Sequence, residues 1–96
     1  MNNLKGRVCL RHEMQNPGDF AWAYDREQIV AIYLMCPSCG ETHGVPVKPG
    51  DPNGWDWNGN QDEPTLTPSI FFRDGHIQNR DCRWHGYLTN GEWRTV

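Results

Sequence analysis

Apolar and polar residues alternate in short runs along this chain, which is the period of a β-strand rather than of a helix. The alternation covers residues 4–12 and again residues 20–24, where aromatic and small side chains take turns. Residues 29–35 form the most apolar run and are rich in β-branched side chains, so we expect them to be the core strand. The polar residues 25–29 permit one short helix between these two strands.

Turn signals divide the rest of the chain into hairpins and one long loop. Asp74-Gly75 and Asn90-Gly91 each lie between apolar residues, as in two-residue hairpin turns. Residues 44–64 are rich in proline, glycine and tryptophan, so we expect no helix there. The predicted fold is mostly β: one domain over residues 1–96, with short antiparallel strands and hairpins and a long Pro/Gly/Trp-containing loop.

Two short motifs predict a metal site. Cys36-x-x-Cys39 and Cys82-x-x-His85 have the same internal spacing, and each is followed at once by a glycine. Tetrahedral zinc is bound by thiolate and imidazole ligands supplied in such pairs. We therefore expect one structural zinc per chain, held by Cys36, Cys39, Cys82 and His85. The predicted fold is accordingly a single zinc-stabilised, zinc-ribbon-like domain. Four protein ligands leave no open position on the metal, so no catalytic residue is predicted.

Other residues offer rival ligands or chemistry at this site. Cys9-x-x-His12 is a second Cys/His pair, but an extended strand would point the two side chains to opposite faces. Glu41 and His43 follow the first cysteine pair directly and are the acid or base candidates of a small zinc-dependent hydrolase. We interpret both as surface residues.

A redox interpretation rests on the same cysteines. Cys36-Pro37-Ser38-Cys39 after an apolar strand is similar to a glutaredoxin active site, and residues 67–71 resemble the Thr-x-Pro segment beside such a site. A thiol oxidoreductase activates its thiolate at the start of a long helix. The glycines and prolines of residues 40–50 argue against that helix.

Length and charge limit the remaining function classes. Only 36% of the 96 residues are apolar, so the core is small and a metal would add stability. The formal net charge of −3 does not favour nucleic-acid binding by bulk electrostatics. No signal-like segment opens the chain and no stretch approaches about 18 apolar residues. We expect a cytoplasmic protein that does not enter membranes and whose cysteines stay reduced.

Tryptophans supply a candidate binding surface. Trp55, Trp57, Trp84 and Trp93 can anchor a protein partner or stack on single-stranded nucleic acid. The alternative is that each belongs to the core of a small domain poor in leucine. A protein partner is the favoured expectation, and its identity and the oligomeric state stay open.

Four motifs, in this order, resemble a family of small proteins of unknown function encoded by tailed bacteriophages and prophages. They are MCPSCG at 35–40, WDWNGN at 55–60, PTLTPSI at 64–70 and CRWHG at 82–86, so the likeness spans roughly residues 35–94. The resemblance implies a zinc-ribbon-type domain with the four predicted ligands. It also implies a phage or prophage origin, and with it the bacterial host cytoplasm. Because the predicted metal shell is closed, we expect a noncatalytic accessory protein that binds a macromolecular partner. A zinc-dependent hydrolase or a thiol oxidoreductase is the alternative.

Overall fold

A computed structural model of the protein describes residues 3–72 and 81–96, and these residues form two sheets. Their nine strands are β1 Asn3–Lys5, β2 Arg7–Val8, β3 Asp19–Asp25, β4 Gln28–Met35, β5 Thr42–Pro46, β6 Asp56–Trp57, β7 Leu66–Phe71, β8 His85–Thr89 and β9 Glu92–Thr95. The only helical element among the described residues is a single 3-10 turn at Arg11–Glu13. The mostly β prediction is confirmed.

The nine strands are divided between two separate sheets. The five-stranded sheet has the order β1-β9-β8-β7-β6, and the four-stranded sheet has the order β2-β3-β4-β5. Neighbouring strands are antiparallel except for the parallel pair β2 and β3. No helix in the described ranges 3–72 and 81–96 is long and apolar enough to span a membrane.

The core lies between the sheets and follows from strand alternation. On β4, the predicted core strand, Ile32 and Leu34 are fully buried because alternate residues point to the same face. They join one cluster with side chains of the other sheet, among them Leu66, Leu88 and Trp93. Burial of apolar surface between the two layers is therefore the main stabilising term.

The alternating pattern of residues 4–12 belongs to two strands in different sheets rather than one. The chain crosses between them at Gly6, whose N–H donates to the Gly91 carbonyl at 2.8 Å. A Cβ at Gly6 would lie 2.9 Å from that oxygen and 3.0 Å from the rings of Phe20 and Trp93. Only glycine permits this close approach, so the crossing is fixed by one residue.

One predicted turn is present in the structure, and one predicted helix is not. Asn90 and Gly91 have φ of 49° and 77° and join β8 to β9, as their sequence predicts. The short helix allowed over residues 25–29 is absent, because the β3–β4 turn with Arg26 at φ 58° occupies that segment. The hairpin predicted at 74–75 falls outside the described residues.

Asparagine side chains hold the long loop between β5 and β7. The Asn58 side-chain oxygen accepts the N–H groups of Asn60 and Thr65, both at 3.1 Å. The Asn60 side-chain oxygen accepts those of Asp62 and Glu63 at 2.9 and 2.8 Å. These side-chain bonds satisfy backbone N–H groups that have no partner strand. The loop therefore has a defined shape without forming a helix.

Asp19 is a buried carboxylate that ties the start of β3 to β2. It accepts two hydrogen bonds from the Arg7 guanidinium at 3.1 and 2.7 Å and two from the backbone N–H groups of Gln15 and Asn16 at 3.0 Å. The bond from Arg7 outweighs desolvation and, with the backbone donors, holds the pKa of Asp19 below its ordinary value. The ionised form is therefore the one that the fold stabilises.

Replacing Asp19 by asparagine should lower the free energy of unfolding by about 1–3 kcal/mol at pH 7, because buried donors lose a charged acceptor. The folded-state pKa lies below the unfolded value of about 4. Its stabilising contribution is therefore complete above pH 4 and is lost as the pH falls through the folded pKa. Urea denaturation between pH 2 and 7 measures both effects. The control is Asp25→Asn, at the exposed end of the same strand, and an equal loss there would refute the assignment.

Candidate functional site

The β4–β5 hairpin places two cysteines on one side of a tight turn. Cys36 directly follows the core strand β4. Its N–H donates to the Glu41 carbonyl, and its own carbonyl accepts the Gly40 N–H, both at 2.8 Å. Gly40 has φ 82°, a conformation that favours glycine. The backbone therefore turns back after Cys39, as the sequence motif predicts.

Cys82 completes a cluster of three thiols. It arrives from the other sheet, in the segment that leads into β8, and the three sulfurs of Cys36, Cys39 and Cys82 lie within 4.8 Å of one another. The Cys36 and Cys82 sulfurs are 3.8 Å apart. A Zn–S bond of about 2.3 Å with tetrahedral angles requires a sulfur–sulfur distance of about 3.8 Å. The three cysteines thus fit a metal ion that takes thiolate ligands.

The pKa values of two thiols in the cluster are shifted in opposite directions. Burial raises the pKa of the Cys36 thiol to about 12, against backbone hydrogen bonds from Cys39 and Ser38. For Cys82 burial acts the same way, but hydrogen bonds from Cys39, the Trp84 backbone and other neighbours outweigh it and lower the pKa. Binding of a cation would therefore displace protons from the buried thiols, which links metal affinity to pH.

The imidazole of His85 is not part of this three-sulfur group. Its Nε2 lies 2.9 Å from the hydroxyl oxygen of Ser69, in reach of a hydrogen bond. The two residues stand on neighbouring strands, His85 at the start of β8 and Ser69 within β7. Both are half-buried. The residue predicted as the fourth ligand thus contacts a hydroxyl, and its binding to a metal stays a prediction.

A bulge in β7 brings Ser69 to this position. Leu66 pairs with Leu88, and the next pair is Ile70 with Gly86, so three residues of β7, 67–69, face Tyr87 alone. Such an interruption re-aims side chains and is frequent beside active sites.

The loop before β6 supports the bulge from the other side. The Trp55 indole N–H donates to the carbonyl oxygens of Pro68 and Ser69, at 3.0 and 3.3 Å. An irregular segment outside the ladder needs such a partner for its carbonyl groups. Trp55 therefore fixes the backbone that carries Ser69.

Two further contacts hold the imidazole. The Phe71 ring packs against it with centroids 4.9 Å apart and planes inclined by 35°. The His85 carbonyl accepts the Val96 N–H at 3.0 Å, which extends the β8–β9 ladder by one residue. His85 is thereby fixed between both neighbouring strands.

The rival candidates lie elsewhere or serve the fold. Cys9 directs its thiol at the Phe20 carbonyl, 3.7 Å away, and His12 is exposed on the 3-10 turn. His43 stacks on Phe72 with centroids 4.2 Å apart. The first cysteine pair is followed by β5, so the helix that a thiol oxidoreductase needs is absent from this segment.

The four tryptophans do not form one binding surface. Trp84 and Trp93 are 5% and 0% exposed and are core residues, which corrects their assignment to a surface. Trp55 and Trp57 are half-buried and pack against the core from the long loop. The Trp57 ring contacts that of Trp22 at 4.6 Å between centroids. These rings close the small core, as the alternative interpretation proposed.

One family model matches residues 8–96, and its description is "Bacterial ubiquitination-like system serine protease (BubE)". No curated protein and no solved structure matches the chain. The expected noncatalytic phage accessory role is wrong, because the matching family is one of proteases. The resemblance to a phage-encoded family did not extend to a function, whereas this match covers nearly the whole chain.

Ser69 is the residue that sequence reasoning missed. Its segment, Pro64–Ile70 in sequence, stood out as a motif, but a serine and a histidine 16 residues apart carry no local signature of a catalytic pair. Their meeting depends on the bulge, which the alternation pattern does not reveal. The one available signal was that the chain holds only two serines.

Removing one cysteine of the cluster should remove the metal. We expect wild-type protein to hold about one metal ion per chain and Cys36→Ser or Cys82→Ser to hold almost none and to unfold at a lower temperature, because metal binding is part of the folding free energy. Elemental analysis and thermal unfolding measure this. Cys9→Ser is the matched control and should keep its metal. Loss of metal in that variant, or a wild-type stoichiometry near zero, would contradict the assignment.

Proposed function

The chain belongs to the BubE family of bacterial ubiquitination-like system serine proteases, and we propose that it is a serine protease with Ser69 as nucleophile and His85 as general base. The observation that supports this is the 2.9 Å separation of Ser69 Oγ and His85 Nε2. Nucleophile and base in catalytic pairs lie about 2.6–3.2 Å apart.

The sequence offers one other serine, and its surroundings do not suit a nucleophile. Ser38 lies between Cys36 and Cys39, and its hydroxyl interacts with the Cys82 sulfur. That contact stabilises the thiolate of Cys82 and occupies the hydroxyl in the metal cluster. Ser69 is therefore the nucleophile that we assign.

The proposed reaction follows from the pair. Nε2 of neutral His85 takes the Ser69 hydroxyl proton as the oxygen attacks the carbonyl carbon of the substrate. The imidazolium then returns that proton to the leaving amine, and an acyl ester on Ser69 remains. Water, deprotonated by the same nitrogen, cleaves the ester and restores the hydroxyl. No atom of the metal cluster is needed in these steps.

We assign the three cysteines to a structural zinc ion. Their sulfur spacing suits that metal, and thiolate ligands favour it over oxygen-preferring cations. Bound zinc would neutralise the buried thiolates. Cys82 precedes His85 by three residues, so fixing its sulfur also fixes the start of β8. The cluster thus positions the general base without taking part in proton transfer.

The family description names a ubiquitination-like system, and this supports a proposal for the substrate class. We propose that the bond cleaved is a peptide bond at the end of a ubiquitin-like modifier, either in its precursor or where it is joined to a target. Ser69 and His85 lie on two neighbouring strands of one sheet, an arrangement along which an extended polypeptide substrate can bind.

Ser69→Ala and His85→Gln should each reduce peptide-bond cleavage by at least about 1000-fold, because either change removes a member of a unit that acts together. Both variants should keep the metal and the wild-type unfolding temperature. Cleavage of a fusion between the modifier and a reporter protein, followed by gel electrophoresis, measures the loss. Ser38→Ala is the control for the other serine and should retain activity within a few-fold. Loss of the metal in His85→Gln would instead identify His85 as a ligand.

Trp55→Phe should lower kcat by about 10–100-fold with little change in KM, because a misplaced nucleophile loses rate rather than substrate affinity. The substitution keeps the ring but deletes the N–H that holds the Pro68 and Ser69 carbonyls. Trp57→Phe is the matched control, since its indole N–H donates to the Asn60 carbonyl, within the loop. Steady-state kinetics of the two variants separates them. Equal losses would show that Trp55 acts through loop stability alone.

A further inference from the structure

Three exposed apolar side chains surround His85 on the outer face of the five-stranded sheet. Phe71 pairs directly with His85, and residues directly paired across strands point to the same face. Thr95 pairs with Gly86 and the Val96 N–H bonds the His85 carbonyl, so Val96 opposes His85 from the other side. Tyr87 lies two residues along β8 and shares that face. We call Phe71, Tyr87 and Val96 the apolar patch.

The patch is exposed although its residues are large and apolar. Phe71, Tyr87 and Val96 are 48%, 46% and 71% exposed. The opposite face of the same strands carries the buried Leu88 and Ile70. An apolar cluster that remains open to water beside reactive groups is typical of a binding surface. The apolar patch is thus separate from the hydrophobic core, which lies on the other face of the sheet.

Its charge and dimensions fit one kind of occupant. Within the described residues of β9, Arg94 pairs with Tyr87 in register, and its guanidinium bonds Glu92 at 3.0 Å. The charges of this ion pair offset each other, and the three patch side chains carry none, so these residues suit an uncharged segment. Neighbouring strands lie about 4.8 Å apart, so the row from Phe71 to Val96 spans about 10 Å. This equals about three residues of an extended chain.

We infer that the apolar patch binds an extended, apolar segment of the polypeptide substrate on either side of the bond that Ser69 attacks. This inference rests on the proposed function and names its sequence preference. A peptide carbonyl at Ser69 Oγ places the adjacent residues within one or two residue lengths, the reach of Phe71 and Tyr87. Their side chains would cover the patch and exclude water from His85.

The test measures binding apart from cleavage. The protein is the full chain carrying Ser69→Ala, with its metal, and the probe is a blocked octapeptide whose four central residues are leucine. A matched octapeptide has serine at those four positions. Calorimetric titration should give at least tenfold tighter binding of the leucine peptide. Equal affinities, or no binding of the leucine peptide at millimolar concentration, would overturn the inference.

Variants assign the binding to the patch. Tyr87→Thr, added to Ser69→Ala, should weaken binding of the leucine peptide at least tenfold, and Tyr87→Phe should restore it. Tyr24→Thr is the matched control, since this tyrosine is 56% exposed on β3 of the other sheet. Metal content and unfolding temperature show that each variant folds. If Tyr24→Thr weakens binding as much, or if Tyr87→Thr only converts a dimer to a monomer, the patch is not the peptide site.

The two proposals fail in different ways. In the protein with Ser69 intact, Tyr87→Thr should raise KM for a leucine-containing substrate and leave kcat within a few-fold. Cleavage that does not respond to Tyr87 would refute the patch and keep the Ser69 chemistry. Tyr87-dependent binding in a protein that cleaves nothing would refute the chemistry and keep the patch.

Discussion

Contact between the two sheets is the interaction on which the rest of this structure depends. Each sheet has one apolar face, and the faces meet in a single cluster that includes residues of both layers. The Trp93 indole N–H crosses the interface to the Gly18 carbonyl at 2.8 Å. Cys36 and Cys39 lie in the turn between β4 and β5 of the four-stranded sheet, and Cys82 lies in the segment that enters the five-stranded one. A metal held by these thiols would therefore cross-link the two layers. Two of the thiols, those of Cys36 and Cys82, are 46 residues apart in the chain.

The proposed chemistry lies on the outer side of this arrangement. Successive residues of β8 point to opposite faces, so Gly86 and Leu88 face the core while His85 and Tyr87 face outward. A fixed inner face thus determines the position of the outer one. Cys82, a proposed metal ligand, precedes β8 by three residues, and the proposed base begins that strand, so holding the sulfur of Cys82 also helps to hold the imidazole of His85.

Much of the strand and turn structure could be predicted from the sequence, because it depends on patterns of residues that lie close together in the chain. The core strand at residues 29–35, the Asn90-Gly91 turn and the turn of Cys36 and Cys39 each depend on residues close in the chain. Cys82 could be joined to them because cysteine in a reduced protein has few other uses. His85 shared its spacing with Cys39, yet it begins a strand whose alternation turns the imidazole toward Ser69.

The position of Ser69 shows why the remainder could not be predicted. It depends on three residues of β7 facing one of β8 and on an indole from a loop 14 residues upstream. Neither the bulge nor the Trp55 bond changes the pattern of apolar residues. The WDWNGN and PTLTPSI motifs were recognisable as separate features, and their relation is tertiary: the first supplies the donor that holds the second. A motif without reactive groups of its own can therefore contribute to the proposed site, because it holds the backbone that carries the proposed nucleophile.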